Sequence, residues 1–134
     1  MSPRSGLKSA GRKALAPRAL VPFAHVSDVR RAVAFYQSLG FEMGGSLAGE
    51  GDSLDWAILE HQGAQLMVAR ASAPVVAEEQ AIVFYVYYED VVAAHAALTA
   101  TGMDVGPILY PQHSPRGEFR IQDPDGYTVQ VTHT

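Results

Sequence analysis

Gly117-Glu118-Phe119-Arg120-Ile121-Gln122-Asp123-Pro124-Asp125-Gly126-Tyr127-Thr128-Val129-Gln130-Val131 is the stretch whose reading decides the fold. Asp-Pro-Asp-Gly is a tight-turn sequence: Pro presets φ at the second position, Asp bonds its own backbone, and Gly accepts a positive φ. Phe119 and Ile121 alternate before the turn, and Tyr127, Val129 and Val131 alternate after it. This pattern predicts a β-hairpin with one face on a core. Its other face carries Glu118, Arg120, Gln122, Thr128, Gln130 and Thr132. A polar strand face is ordinarily just solvated, but this hairpin has an echo elsewhere in the chain.

Working outward, Pro111–Arg116 reads as a loop into the hairpin, and Met103–Tyr110 as a strand interrupted by Pro107. Before it, Asp90 is placed to cap a helix with Val91, Ala94 and Leu98 on one face, closed by Gly102. Ile82–Tyr88 alternates aromatic and aliphatic residues as a strand does. Ala71–Glu79, with Pro74, is a connector. The first half repeats this order. A strand over Leu20–Val26 leads to Asp28, which caps a helix with Val29, Ala32, Val33, Tyr36 and Leu39 at helical spacing, closed by Gly40. Strands follow at Phe41–Ala48, Leu54–Glu60 and Ala64–Arg70. Pro22 cannot donate to a ladder, so the first strand belongs at an edge.

The repeat can be counted. A shift of 62 places Val21 on Val83, Asp28 on Asp90, Val29 on Val91, Ala32 on Ala94, Gly40 on Gly102 and Met43 on Val105. After one extra residue, a shift of 63 places Gly63 on Gly126, Leu66 on Val129 and Met67 on Gln130. Such duplication marks a pseudo-symmetric architecture. The expected fold is α+β: two tandem βαβββ modules, about 20–72 and 80–134, forming a curved, mostly antiparallel sheet around a concave cleft with the helices outside.

The whole chain bounds what this fold can do. Its 134 residues suit one domain with a real core. There is no cysteine, which excludes disulfides, thiolate metal sites and a cysteine nucleophile. No apolar run is long enough to span a bilayer, so no membrane partner is expected. Residues 1–19 hold five of the ten basic side chains and no acid. They read as a disordered basic tail, without the continuous apolar segment of a secretory signal, and a cytoplasmic protein is expected. Residues 20–134 carry five Lys and Arg against fourteen Asp and Glu, a formal charge of −9 (5 − 14). That acidity repels nucleic acid and favours cationic partners.

The helix segment Asp28-Val29-Arg30-Arg31-Ala32-Val33-Ala34-Phe35-Tyr36 with Leu39-Gly40-Phe41, together with Asp123-Pro124-Asp125-Gly126, resembles the glyoxalase/bleomycin resistance/extradiol dioxygenase family, the vicinal oxygen chelate fold. The resemblance covers residues 20–134 and implies paired βαβββ modules, in agreement with the repeat. It further implies that metal-dependent members carry His or Glu at positions that here are Val21, Met67, Val83 and Gln130. Two valines, a thioether and one neutral amide cannot hold a divalent ion against water. No metal and no cofactor are therefore expected. The remaining histidines do not rebuild such a site by spacing: His61 falls in a turn, His95 on a helix, His113 in a loop and His133 at the terminus.

Alternation alone populates the face turned away from the helices. Phe23 and His25 come from the first strand, Met67 from the fourth, Tyr85 and Tyr87 from the fifth, and Gln130 from the last. Phe119 and Ile121 facing the helix leaves Glu118 and Arg120 toward the cleft. Trp56 lies near it with its phase open. Ile82, Phe84 and Val86 fill the helix side of their strand, so Tyr85 and Tyr87 need another surface, a ligand groove or a dimer interface. Within the family the chain is most similar to the bleomycin resistance proteins, in its missing metal ligands, its acidity, Pro22 and Trp56. That similarity implies a homodimer that sequesters a cationic or aromatic small molecule in a groove, with Glu118 and Arg120 orienting it or pairing with each other. The alternative is a lyase, isomerase or dioxygenase of the same fold, using a metal or an acid/base pair such as His25 with Glu118.

Overall fold

A computed structural model describes residues 15–134. Residues 1–14, most of the expected basic tail, lie outside the described residues. Residues 16–22 have no regular structure, and Pro22 contributes only its carbonyl, which accepts from Met67 N at 2.9 Å.

The first module is β1 (Phe23–Val26), α1 (Val29–Ser38), β2 (Glu42–Ala48), β3 (Leu54–His61) and β4 (Ala64–Arg70). Its sheet has the order β1-β4-β3-β2, with β1 parallel to β4 and the other pairs antiparallel. The second module is β5 (Val83–Tyr88), α2 (Val91–Ala100), β6 (Phe119–Gln122) and β7 (Thr128–His133). Its sheet has the order β5-β7-β6, again with one parallel pair, β5 and β7. The two helices are offset by 62 residues, the shift counted in the sequence.

Both helices begin as their sequences dictate. The Asp28 carboxylate accepts from Arg31 N at 3.2 Å and that of Asp90 from Ala93 N at 2.9 Å, each satisfying an orphan amide of the first turn. The buried stripe Val29, Ala32, Val33 and Tyr36 lays α1 on its sheet, where Ala57, Leu59, Leu66 and Val68 meet it. Val91 and Leu98 do the same for α2 against Phe119, Ile121, Val129 and Val131.

One expected strand is missing. Met103–Tyr110 forms no ladder; it touches the sheet through Gly106 N to the Arg120 carbonyl (3.0 Å) and a single bridge between Leu109 and Glu118. Pro107 has no N–H to give, and a broken run of donors cannot sustain an edge strand. Ile82 also departs from expectation: it precedes β5 and is exposed rather than packed on the helix side.

The Asp123–Tyr127 turn forms as read, and it does more than reverse the chain. Asp123 Oδ1 accepts from the amides of Asp125 and Tyr127, both at 2.9 Å, which fixes a five-residue turn between β6 and β7. Asp123 Oδ2 accepts from the Tyr36 hydroxyl at 2.8 Å, in the other module. The Asp125 carboxylate accepts from Ser27 N, and the Tyr127 hydroxyl donates to the His25 carbonyl at 2.8 Å. With the Tyr88 hydroxyl on the Leu39 carbonyl, these are the hydrogen bonds that join the modules among the described residues.

Candidate ligand-binding face

Each sheet turns one face to its helix and leaves the other open. On β5 the alternation is clear: Phe84, Val86 and Tyr88 are half-buried, whereas Val83, Tyr85 and Tyr87 point away from the helix. Tyr85 is 53% and Tyr87 59% exposed, with ring centroids 6.3 Å apart. Two neighbouring aromatic rings held that far into water present planar surface for stacking.

The ladders place the other expected residues on the same faces. In the first sheet Met67 lies opposite Phe23 on one side and Ile58 on the other, and Ala69 lies opposite His25 and Trp56. Trp56, whose phase the sequence left open, therefore belongs to the helix-free face, with Leu47 beside it. His25 packs edgewise on Phe23, centroids 5.4 Å apart. In the second sheet Gln130 lies opposite both Tyr85 and Arg120. Gln130 is buried, and its Oε1 accepts from Arg120 Nε at 2.6 Å.

The expected pairing of Arg120 with Glu118 is not made. Glu118 Oε1 instead lies 3.3 Å from His113 Nε2, at the mouth of the 111–117 loop, and has no hydrogen-bond partner. His25, the imidazole suggested as an acid/base partner for Glu118, sits on the other sheet. His113, placed in a loop by the sequence, has a side chain 70% exposed, yet it is the one that reaches the carboxylate. Ser114, which sequence reasoning missed, is fully buried: its hydroxyl meets Thr132 Oγ1 at 2.7 Å and the Gly117 carbonyl at 3.1 Å. That contact folds the loop over the end of β7 and walls the second face.

The nine expected residues thus divide between two sheets. Tyr85 and Tyr87 line an open recess of about 530 Å³ that also takes in Phe41, His61 and Tyr88. His25 lines another of about 450 Å³ with Tyr127 and the connector from Ala71 to Val76. Phe23, Trp56, Met67, Glu118, Arg120 and Gln130 lie outside both.

The donor set can be tested against the metal that the fold implies. At the four positions stand Val21, which precedes β1, and Met67, Val83 and Gln130 on strands, and among the described residues no three His, Asp or Glu side chains come together to hold an ion. These residues do not fit a divalent metal. The strongest electrostatic perturbation lies elsewhere, at the joint. Burial raises the Tyr36 hydroxyl far above its ordinary value, and the adjacent Asp123 carboxylate adds to the effect. Burial likewise raises Asp123, against the pull of its hydrogen bonds from Tyr36, Tyr127 and Asp125. These groups hold the modules together and face the core. Among the described residues no helix is long and apolar enough to cross a membrane.

Comparison with known proteins gives the same architecture. The bleomycin-binding protein complexed with bleomycin superposes with a TM-score of 0.70 at 16% identity, over 88% of this chain and 99% of that one. TnmS3, an antibiotic-binding protein from Streptomyces sp. CB03234, gives 0.64 at 18% identity over 87% and 95%. Lactoylglutathione lyase from Agrobacterium tumefaciens gives 0.67 at 20% identity over 88% and 95%. At these identities the likeness is one of fold, and the fold is shared by binders and an enzyme. No curated protein matches the sequence. The family model for the Glyoxalase/Bleomycin resistance protein/Dioxygenase superfamily matches residues 21–131, and the chain belongs to that superfamily.

Proposed function

We propose that this protein is a metal-free small-molecule binder of the bleomycin resistance type, which sequesters a cationic or aromatic compound against its sheet faces. The observation that carries this reading is the outward alternation on β5: Tyr85 and Tyr87 stand exposed beside each other while Phe84 and Val86 already serve the core. Phe23, Trp56 and Met67 supply a matching apolar face on the first sheet. Aromatic faces stack on planar rings, and the acidic body, −9 over residues 20–134 (5 − 14), attracts cationic groups on them. The nine residues are spread over two open faces, so the reading includes a homodimer in which a second copy closes the groove. Capture takes place in the cytoplasm in this reading, and no chemistry is required of the site. The lyase, isomerase and dioxygenase alternative has less support, since the four family positions offer no metal ligands and His25 and Glu118 lie in different modules.

The test is a calorimetric titration of bleomycin into the EDTA-treated protein, with Tyr85→Ala alongside. Saturable heat near one drug per chain is expected, weakened about tenfold or more by the substitution, while the melting temperature stays within a few degrees because the ring is half in water. Equal losses of binding and stability would return Tyr85 to a core role. No heat with bleomycin, followed by no thermal stabilisation by any compound of an aromatic panel, would defeat the binding reading.

A further inference from the structure

The two sheets are built on the same lattice, so equivalent rows can be compared side chain by side chain. In the first, the row across β1, β4 and β3 reads Phe23, Met67, Ile58. In the second, the row across β5, β7 and β6 reads Tyr85, Gln130, Arg120. An apolar row in one module is a guanidinium and an amide beside a tyrosine in the other. Gln130 is 3% exposed and spends its carbonyl on Arg120 Nε, which fixes the plane of an otherwise exposed guanidinium. Among the described residues the two terminal amino groups of Arg120 have no hydrogen-bond partner. Glu118, two residues away on the same chain segment, turns its carboxylate to His113 and does not neutralise it.

The other arginines of residues 20–134 are used at the periphery. Arg30 meets the Asp52 carbonyl, Arg31 the Ser27 hydroxyl, Arg70 the Asp55 carboxylate and Arg116 the terminal carbonyl of Thr134. Among the described residues Arg120 is the one Lys or Arg on the helix-free face of either sheet. The net charge of this body disfavours anions at long range, so a single oriented guanidinium here serves to select rather than to steer.

We propose that the ligand of the second face is an aromatic compound bearing an oxyanion group, a carboxylate, sulfonate or phosphate. The free edge of Arg120 receives that group while Tyr85 covers the adjoining ring. The planar fork of a guanidinium matches two oxygens of such a group, and Gln130 fixes the fork before the ligand arrives, which reduces the entropy lost on binding. This inference rests on the binding reading above and, for the second face, sets the local charge of Arg120 above the cationic preference that the net charge gives the body as a whole.

Three naphthalene probes of one shape separate the possibilities: 2-naphthoate, the neutral 2-naphthamide and the cationic 2-naphthylmethylammonium, each titrated calorimetrically into the full chain. The naphthoate is expected to bind about tenfold more tightly than the amide, and the cation most weakly. Arg120→Gln removes the preference, so that in this variant the naphthoate binds no more tightly than the amide. Gln130→Leu, close in volume, removes part of it, and melting temperatures of both variants report that the fold is kept. A cation that binds as well as or better than the naphthoate overturns the oxyanion inference and leaves the binding reading standing. A naphthoate preference that survives Arg120→Gln overturns it as well, because the anion is then held elsewhere. Failure of all three probes overturns the oxyanion inference alone, because the binding reading stands or falls by the bleomycin titration.

Discussion

In the first module β2 runs for seven residues along the edge of its sheet, whereas the corresponding segment of the second, around Val105, contributes only the bridge at Leu109. The chain released from that edge is not idle. It continues into the 111–117 loop, which buries Ser114 on Thr132 and covers the end of β7. Thr132 is buried beneath Ser114 and Gln130 beside Arg120, while their counterparts by the 63-residue shift, Met67 and Ala69, remain half-exposed. A duplicated module that gives up a strand can turn the freed chain into a wall. The first face stays broad and apolar, suited to stacking; the second is narrower and polar, suited to orientation.

If the two modules form a single cooperative unit, the strongest blow falls at their joint. Tyr36→Ala, which removes a buried ring and the partner of Asp123, is expected to cost about 3–5 kcal/mol, read from the urea midpoint. A biphasic unfolding curve would instead show that the modules unfold separately. The equivalent turn glycines sharpen the comparison at a smaller scale. Gly63 and Gly126 have nearly the same left-handed backbone, φ +92° and +88°. A Cβ on Gly63 would meet nothing within 4 Å, whereas on Gly126 it would lie 2.2 Å from Ala77 Cβ in the connector. Gly63→Ala should cost about 1 kcal/mol for the backbone alone. Gly126→Ala adds overpacking and should cost about 2–4 kcal/mol. Equal thermal shifts in the two variants would mean that the connector yields freely.

The smallest effect is a dependence on pH. Burial lifts the Asp123 carboxyl above its ordinary 3.8 in the folded protein, so the folded state holds that proton more tightly than the unfolded chain. The stability this contributes is fully present below pH 3.8 and is lost as the pH rises through the folded-state value. Between neutrality and about pH 4 the stability of the wild type should therefore improve relative to Asp123→Asn, measured by urea unfolding at each pH. A difference that does not change with pH would mean that Asp123 keeps its ordinary acidity in the fold.

What could be read in advance follows from how local each signal is. Capping aspartates, helical stripes and the Asp-Pro-Asp-Gly turn act within a few residues, and the count of 62 carried them from one module to the other. Trp56 lost its phase because β2 and β3 slip register between Leu47 and Ala48, and a bulge is invisible to simple alternation. Arg120 lies on the face that alternation gives it, and its hydrogen bond goes to Gln130 and not to Glu118. The five-residue turn sets Arg120 opposite Gln130, and cross-strand register outweighs nearness in sequence. Met103–Tyr110 shows the reverse case, a strand-like pattern defeated by one missing donor at Pro107. Nothing in the sequence marked Ser114 for burial, because its environment is made by a loop closing on a distant strand.

Among the described residues, the hydrogen bonds that join the modules all end on the Asp123–Tyr127 turn, the Tyr36 and Tyr88 hydroxyls, or main-chain atoms of Ser27, His25 and Leu39. None uses the side chain of Phe23, Trp56, Tyr85 or Tyr87. Cohesion and display are thus written in separate sets of positions. A library randomised at those four positions should contain mostly folded members, so selection can alter what the open faces display without first having to restore stability. Such a scaffold can change the chemistry of its open faces far faster than it changes its shape.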